Sequence, residues 1–150
     1  MEIIVGAIIL KDNKILMVKE AKKECFGKWA FPAGHLEENE DIFKGALREV
    51  YEETGCKVKL DKIFPIFNLN NNNKRIIMFH FLAKIIEEDK YYKTSEILET
   101  KWFTIDELKH IPKEQFRNCH VIEEIIKNIE NKKLYDLDLL VEIQNGGKHE

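Results

Sequence analysis

Three glutamates, Glu49, Glu52 and Glu53, stand at i, i+3 and i+4 in a stretch that reads as a helix. At about 100° per residue they share a single sector of roughly 100° on that helix. Like charges set so close repel one another and mildly destabilise a helix unless something neutralises them. A hard divalent cation does so: Mg²⁺ takes carboxylate oxygens, keeps several waters and shares its shell with phosphates. Held there, it can neutralise phosphate charge, orient an attacking water and stabilise a leaving group. Arg48, next in sequence to Glu49, can hold a carboxylate by a bidentate contact. The competing reading is a solvated acidic face on an amphipathic helix, and Glu-x-x-Glu-Glu alone does not exclude it.

The helix that must carry these acids is well delimited. Asp41 is a good N-cap and Gly55 suits the left-handed position just past the C-terminus. Between them Phe43, Ala46, Leu47 and Val50 recur at helical spacing and form one apolar face, away from the acids. Gly45 lies inside the helix at a modest propensity cost, which close packing against a sheet would explain.

The rest of the chain supplies strands to support that helix. Ile3 to Leu10 and Ile15 to Lys19 read as a hairpin around the Lys11 to Lys14 turn. Ala21 to Lys28 is a loop, and Trp29 to Phe31 is a short extended stretch ended by Pro32. Val58 to Phe67 is extended and interrupted by Pro65. Asn68 and Asn70 to Asn73 mark an Asn-rich turn. Arg75 to Ile86 is a long strand with Ile77, Phe79, Phe81, Ala83 and Ile85 on one face. After the charged loop Glu87 to Ser95, Lys101 to Phe103 is a short strand. Thr104 to Glu107 looks like a capped helix start, and His120 to Asn131 is a second long helix. The alternating tail Tyr135 to Ile143 reads as a late strand, an edge suited to pairing with another subunit, or as a helix extension. Mixed elements place the fold in the α/β or α+β class.

Composition bounds the function. The chain has 150 residues, 44% hydrophobic and 34% charged, which suits one globular domain over 1–150. The net charge of −3 gives no electrostatic reason to expect long nucleic acid as a partner. Three widely spaced cysteines argue against a disulfide framework or a zinc site and favour a reduced, cytoplasmic setting. The apolar start lacks the features of a signal peptide and is too short to span a bilayer.

The stretch from Gly34 to Cys56 resembles the box of the Nudix hydrolase family (MutT-like), G-x5-E-x7-R-E-U-x-E-E-x-G-U, with U a large aliphatic residue. Gly34, Glu40, Arg48, Glu49, Val50, Glu52, Glu53 and Gly55 match it. Chance agreement of the fixed positions has a probability on the order of 10⁻⁷, given average residue usage. Cys56 stands where an aliphatic residue is usual, and a small hydrophobe there keeps the packing role. Ala33 replaces the first glycine of a frequent Gly-Gly pair.

The resemblance implies a mixed β-sheet sandwiched between α-helices, with the box as a loop-helix-loop. It implies a Mg²⁺-dependent hydrolase (Mn²⁺ a possible substitute) that cleaves the diphosphate linkage of a small nucleotide-like substrate. Glu52 and Glu53 become the principal metal ligands, and Glu49 a ligand or the general base. Arg48 orients Glu49, Glu40 reaches the metal directly or through water, and the Ala33 carbonyl faces it. A further acid comes from outside the box, with Glu96 and Glu99 as candidates or as plain surface charge.

Substrate contacts are expected from several positions. Gly34, beside Ala33, is one candidate implied by the resemblance. Trp29 or Phe31 can stack on a flat ring, or pack in the core. His80 can face the cleft, or be a core or surface histidine. Arg75, with Lys74, can meet a phosphate, or lie in a surface loop. Family subgroup markers for ADP-ribose, dinucleoside polyphosphates and NADH are mostly missing, while the Pro32 to Glu37 start is similar to members acting on nucleoside triphosphates and small pyrimidine diphosphates, so a nucleoside di- or triphosphate is the leading substrate class. Nucleotide sugars, ADP-ribose and small pyrimidine diphosphates are the alternatives. A prenyl diphosphate isomerase would need a cysteine and extra histidines that Cys25 and His35 do not supply. A non-catalytic binding module with this fold would typically have lost box acids, and all are present. The expected enzyme is a monomer or homodimer with no membrane partner.

Overall fold

The computed structural model describes residues 1–144. Strands β1 (Glu2–Lys11) and β2 (Lys14–Glu20) form a hairpin. Its turn residues Asp12 and Asn13 have φ of 51° and 61°, a left-handed backbone that Asp and Asn tolerate and that follows strand twist. After a 3₁₀ turn come β3 (Trp29–Ala30), β4 (Ala33–His35), α1 (Ile42–Thr54), β5 (Cys56–Ile63), β6 (Phe67–Asn71) and β7 (Lys74–Glu88). The chain ends with β8 (Ile97–Thr104), α2 (Ile105–Lys109), α3 (Cys119–Glu130) and β9 (Tyr135–Asp136).

The sheet is mixed. β1 runs parallel to β7, in register from Glu2↔Ile76 to Ile9↔Ala83. The remaining pairings are antiparallel: β1 with β4, β2 with β3 and β8, β7 with β5 and β6, and β5 with β9. Alternation along the strands makes two cores. Val5, Ala7 and Ile9 of β1 meet Phe81 and Ala83 of β7 and pack under Ala46 and Val50 of α1. Ile8, Ile15 and Met17 point to the other face, where Val121, Ile122, Ile125 and Ile126 of α3 cover them with Phe103 and Phe116. The expected layering, a sheet between helices, is what the structure has.

Helix α1 has the bounds its sequence predicts. Asp41 Oδ1 accepts from the Lys44 N–H at 3.1 Å. Gly55, at φ 71°, donates its N–H to the Tyr51 carbonyl at 2.9 Å. Thr104 and Glu107 form the predicted capping box of α2.

Several expectations are corrected. Only Asn72 and Asn73, with φ of 50° and 65°, form the Asn-rich turn. Asn68, Asn70 and Asn71 belong to β6, because Phe67 and Leu69 alternate with them and pack on the α3-side core. β7 and β8 both extend beyond their predicted ends, each held by long pairings to neighbours. Gly45 faces the loop before α1 rather than the sheet: a Cβ there would lie 2.6 Å from Leu36 Cδ1 and 3.0 Å from Glu40 Oε1.

The tail is neither a long strand nor a helix extension. Two residues pair with β5, then a 3₁₀ turn over Leu137–Leu139 lets Leu137 and Leu140 pack on the α1-side core. Beyond it Glu142 Oε1 accepts the Ile42 N–H at 2.9 Å, satisfying one of the orphan donors at the start of α1. No helix among the described residues is long and apolar enough to cross a membrane.

Removing the α1 cap tests how far local chemistry holds this helix. Asp41→Ala is expected to lower stability by about 1 kcal/mol, read as a shift in urea midpoint at unchanged slope.

Candidate active site

One guanidinium organises the acids. Arg48 Nε and Nη2 grip both oxygens of Glu40, at 2.6 and 2.9 Å. Its Nη1 donates to Glu49 Oε1 at 2.8 Å and to Glu52 Oε1 at 2.9 Å. Nη2 also reaches the His35 carbonyl at 3.1 Å. The bond from Arg48 holds the Glu40 carboxyl below the usual carboxylate range, and the same bond raises the Arg48 pKa. Burial pushes Glu49 up, against the pull of Arg48. The role expected for Arg48, orienting Glu49, thus has a geometry, and it extends to Glu40 and Glu52.

Glu53 is set apart from this hub. It lies on the buried side of α1, 3% exposed, and its Oε1 accepts the Ala33 N–H at 3.0 Å. Burial raises its pKa to about 8. The Ala33 N–H opposes that rise, and the charges of Glu20 and Glu49 add to it. The Lys22 charge also pulls downward, but as the last of these causes it does not offset the burial. Gly34 is flush against Glu49: a Cβ at that position would sit 2.1 Å from Glu49 Oε2. Strand β4 therefore presses backbone, with no side chain at Gly34, onto two of the acids.

These hard oxygen donors fit a divalent cation, with Glu49, Glu52, Glu53 and Glu40 all supplied by one helix and the loop before it. In the arrangement described, Arg48 stands among the acids and takes one oxygen each of Glu49 and Glu52. Among the described residues, the one group of three His, Cys, Asp or Glu side chains with ligand atoms all within 4.8 Å of one another is Cys119, His120 and Glu123. That group is on the surface at the start of α3.

Beside β4 opens a cavity of about 280 Å³ between the sheet and α3. Phe31, Ala33, Gly34 and His80 line it. His80 is 2% exposed, its ring 6.4 Å from Phe31 and 5.4 Å from Phe67, and its Nδ1 has no hydrogen-bond partner. Burial lowers its pKa to about 4, so the imidazole is neutral near pH 7.

Other predicted residues lie elsewhere. Trp29 packs edge-on against Phe103 at 5.0 Å within the α3-side core, so its core reading holds. Arg75 is exposed on the β6–β7 hairpin, 3.5 Å from Asn70 Oδ1, and Lys74 pairs with Glu2 at 2.8 Å. Glu99 is exposed on β8 and turned to Lys19 at 3.5 Å. Glu96 is exposed, but its charge adds to the upward shift of Glu49. Sequence reasoning missed Glu20 and Arg117, which pair across the cavity wall at 2.6 Å. A glutamate ending an otherwise apolar strand, after Ile15 to Val18, was the available signal.

An α+β fold with a capped helix that carries clustered acids against a glycine-bearing strand defines a recognised domain class. The NUDIX domain family matches residues 2–125, and the chain belongs to that family. It is 40% identical over 82 residues to 8-oxo-dGDP phosphatase NUDT18 of Danio rerio, covering 54% of this chain and 24% of that one. It is 32% identical over 127 residues to 8-oxo-dGTP diphosphatase of Buchnera aphidicola, covering 84% of this chain and 94% of the relative. A NUDIX hydrolase structure from Nitrosomonas europaea superposes with a TM-score of 0.85 at 30% identity, over 95% of this chain and 97% of that one. The chain spans only 24% to 50% of the length of several of the curated relatives it matches.

Two outcomes follow from this geometry. His80 binds its proton only below about pH 4 when folded, whereas the unfolded chain binds it near 6.5. Its contribution is therefore complete above pH 6.5 and is lost as pH falls from 6.5 toward 4, by up to about 3 kcal/mol. Urea melts across that range should show the loss, and His80→Asn should flatten it. Gly34→Ala should drive its Cβ into Glu49 and lower kcat at least about tenfold, with the circular dichroism spectrum unchanged.

Proposed function

We propose that this chain is a Mg²⁺-dependent hydrolase that cleaves the diphosphate linkage of a nucleoside di- or triphosphate. The observation that carries this reading is the contact of Glu53 with Ala33 and of the Arg48-held Glu49 with Gly34, two residues that line the cavity. Relatives named 8-oxo-dGDP phosphatase and 8-oxo-dGTP diphosphatase support the nucleotide class.

Glu49, Glu52, Glu53 and the Ala33 carbonyl would hold the metal, with Glu40 reaching it directly or through water. A bound Mg²⁺ supplies charge neutralisation of the diphosphate and of the leaving phosphate. The protein's own residues set the geometry. Arg48 fixes Glu49 Oε1 and leaves Oε2 beside Gly34, as a metal ligand or as acceptor of the proton from the attacking water. Glu40, gripped by two guanidinium nitrogens, keeps Arg48 from swinging away. The buried Glu53, held by Ala33, needs positive charge to ionise near neutral pH, and a divalent cation meets that need. The cavity takes the nucleoside, with Phe31 and the neutral His80 against its flat ring. Positioning and electrostatics then supply most of the rate. The three cysteines are free, and Cys25 and Cys56 are buried, which accords with action in the cytoplasm.

Release of phosphate or pyrophosphate from a nucleotide panel, with Mg²⁺ and with EDTA, tests this. Turnover is expected only with the metal. Glu53→Gln keeps an acceptor for the Ala33 N–H and should stay folded, yet lose at least about a hundredfold in kcat. Near-normal turnover by that variant would contradict the assignment, and no turnover of any nucleotide by the parent would favour a binding module.

A further inference from the structure

The cavity wall contains a charged pair that hydrolysis as described does not use. Glu20 ends β2 and is 2% exposed. Its Oε2 accepts from Arg117 Nη1 at 2.6 Å, and its Oε1 is buried with no hydrogen-bond partner. A buried carboxylate oxygen left without a donor is costly, and such an oxygen at a cavity wall is a position for a ligand's donor.

The location of the pair restricts which donor that is. Glu20 and Arg117 line the cavity together with Ala33 and Gly34, the residues in contact with Glu53 and Glu49. The charges of both are felt at Glu53. The pair therefore stands at the acid end, while Met78, Ile76 and Ile122 supply apolar wall. A nucleotide with its phosphates at the acids presents its sugar next, and its base only beyond that. A carboxylate oxygen repels phosphate and accepts from neutral donors, and at this place a nucleoside offers sugar hydroxyls.

We propose that Glu20 Oε1 accepts a hydrogen bond from a sugar hydroxyl of the nucleotide, making Glu20 a specificity residue for the sugar. Arg117 is its positioning residue: by fixing Oε2 it sets the orientation of the carboxylate at the cavity wall. The inference rests on the nucleotide reading above.

The test compares kcat/KM for a nucleotide that the protein hydrolyses with its 2′-deoxy, 3′-deoxy and 2′,3′-dideoxy forms. In the parent, the dideoxy form should fall about tenfold or more, the size expected for a hydrogen bond to a charged acceptor. In Glu20→Ala the same ratio should shrink to within about threefold, and Glu20→Gln should lie between, because its amide keeps the shape but not the charge. Arg117→Met should weaken sugar discrimination in the same direction. The substrate series on the parent protein needs no variant to fold. Equal turnover of all sugars by the parent overturns the proposal while leaving nucleotide hydrolysis intact. A Glu20→Ala loss shared by every sugar, with a raised Mg²⁺ requirement, also overturns it and makes Glu20 part of the metal site. Absence of hydrolysis of every nucleotide removes both readings together.

Discussion

Five hydrogen bonds to one guanidinium hold the catalytic side of this molecule in shape. Glu40, Glu49 and Glu52 would repel one another without Arg48, and Arg48 would be a partly buried cation without them. Its planar donors suit the task, since two nitrogens take Glu40 side-on while a third is shared between Glu49 and Glu52. Breaking a pair of this kind leaves an uncompensated charge, which costs far more than the loss of an exposed pair such as Lys109–Glu130. The network also fastens the loop through Glu40 and His35 to the helix through Glu49 and Glu52.

The packing beneath makes that network possible. Ala46 and Val50 seat α1 on the sheet, which turns Glu53 inward and leaves Glu52 half-exposed. Gly45 allows Leu36 and Glu40 to approach the helix, and Gly34 allows β4 to lie against Glu49. Both glycines act by having no side chain, at points where the loop and strand must close on the acids. The tail then seals the start of the helix through Glu142. Local sequence, close approach and long-range packing all converge on the placement of a few oxygens.

Much of this was legible in the sequence because it is encoded locally. Asp41 and Gly55 delimit α1 by their own cap chemistry, and the i, i+3, i+4 acids follow from helical geometry. The sandwich layering was what the resemblance of Gly34 to Cys56 to the Nudix box implied. What escaped depended on distant partners. Nothing near Glu20 announces Arg117, a partner 97 positions away. Trp29 and Phe31 both join the α3-side core, yet only Phe31, between β3 and β4, also borders the cavity. The run Asn68 to Asn71 has turn-like composition, but pairing with β7 overrides it. The tail alternates like a strand, but Leu137 and Leu140, three apart, find the core and end the pairing.

The sheet separates two neighbourhoods that meet at β4, where Ala33 and Gly34 touch both. On the proposed reading, bond cleavage would depend on groups seated on the α1 face, and the nucleoside would enter the cavity walled by α3 and the opposite sides of β1 and β7. Because the two core clusters are built from different side chains, the proposed reading would let substrate preference change through α3, Arg117 and the β6–β7 hairpin while the acids stay as they are. The same partition gives an engineer a natural division of labour: diversify one face, and leave the other alone.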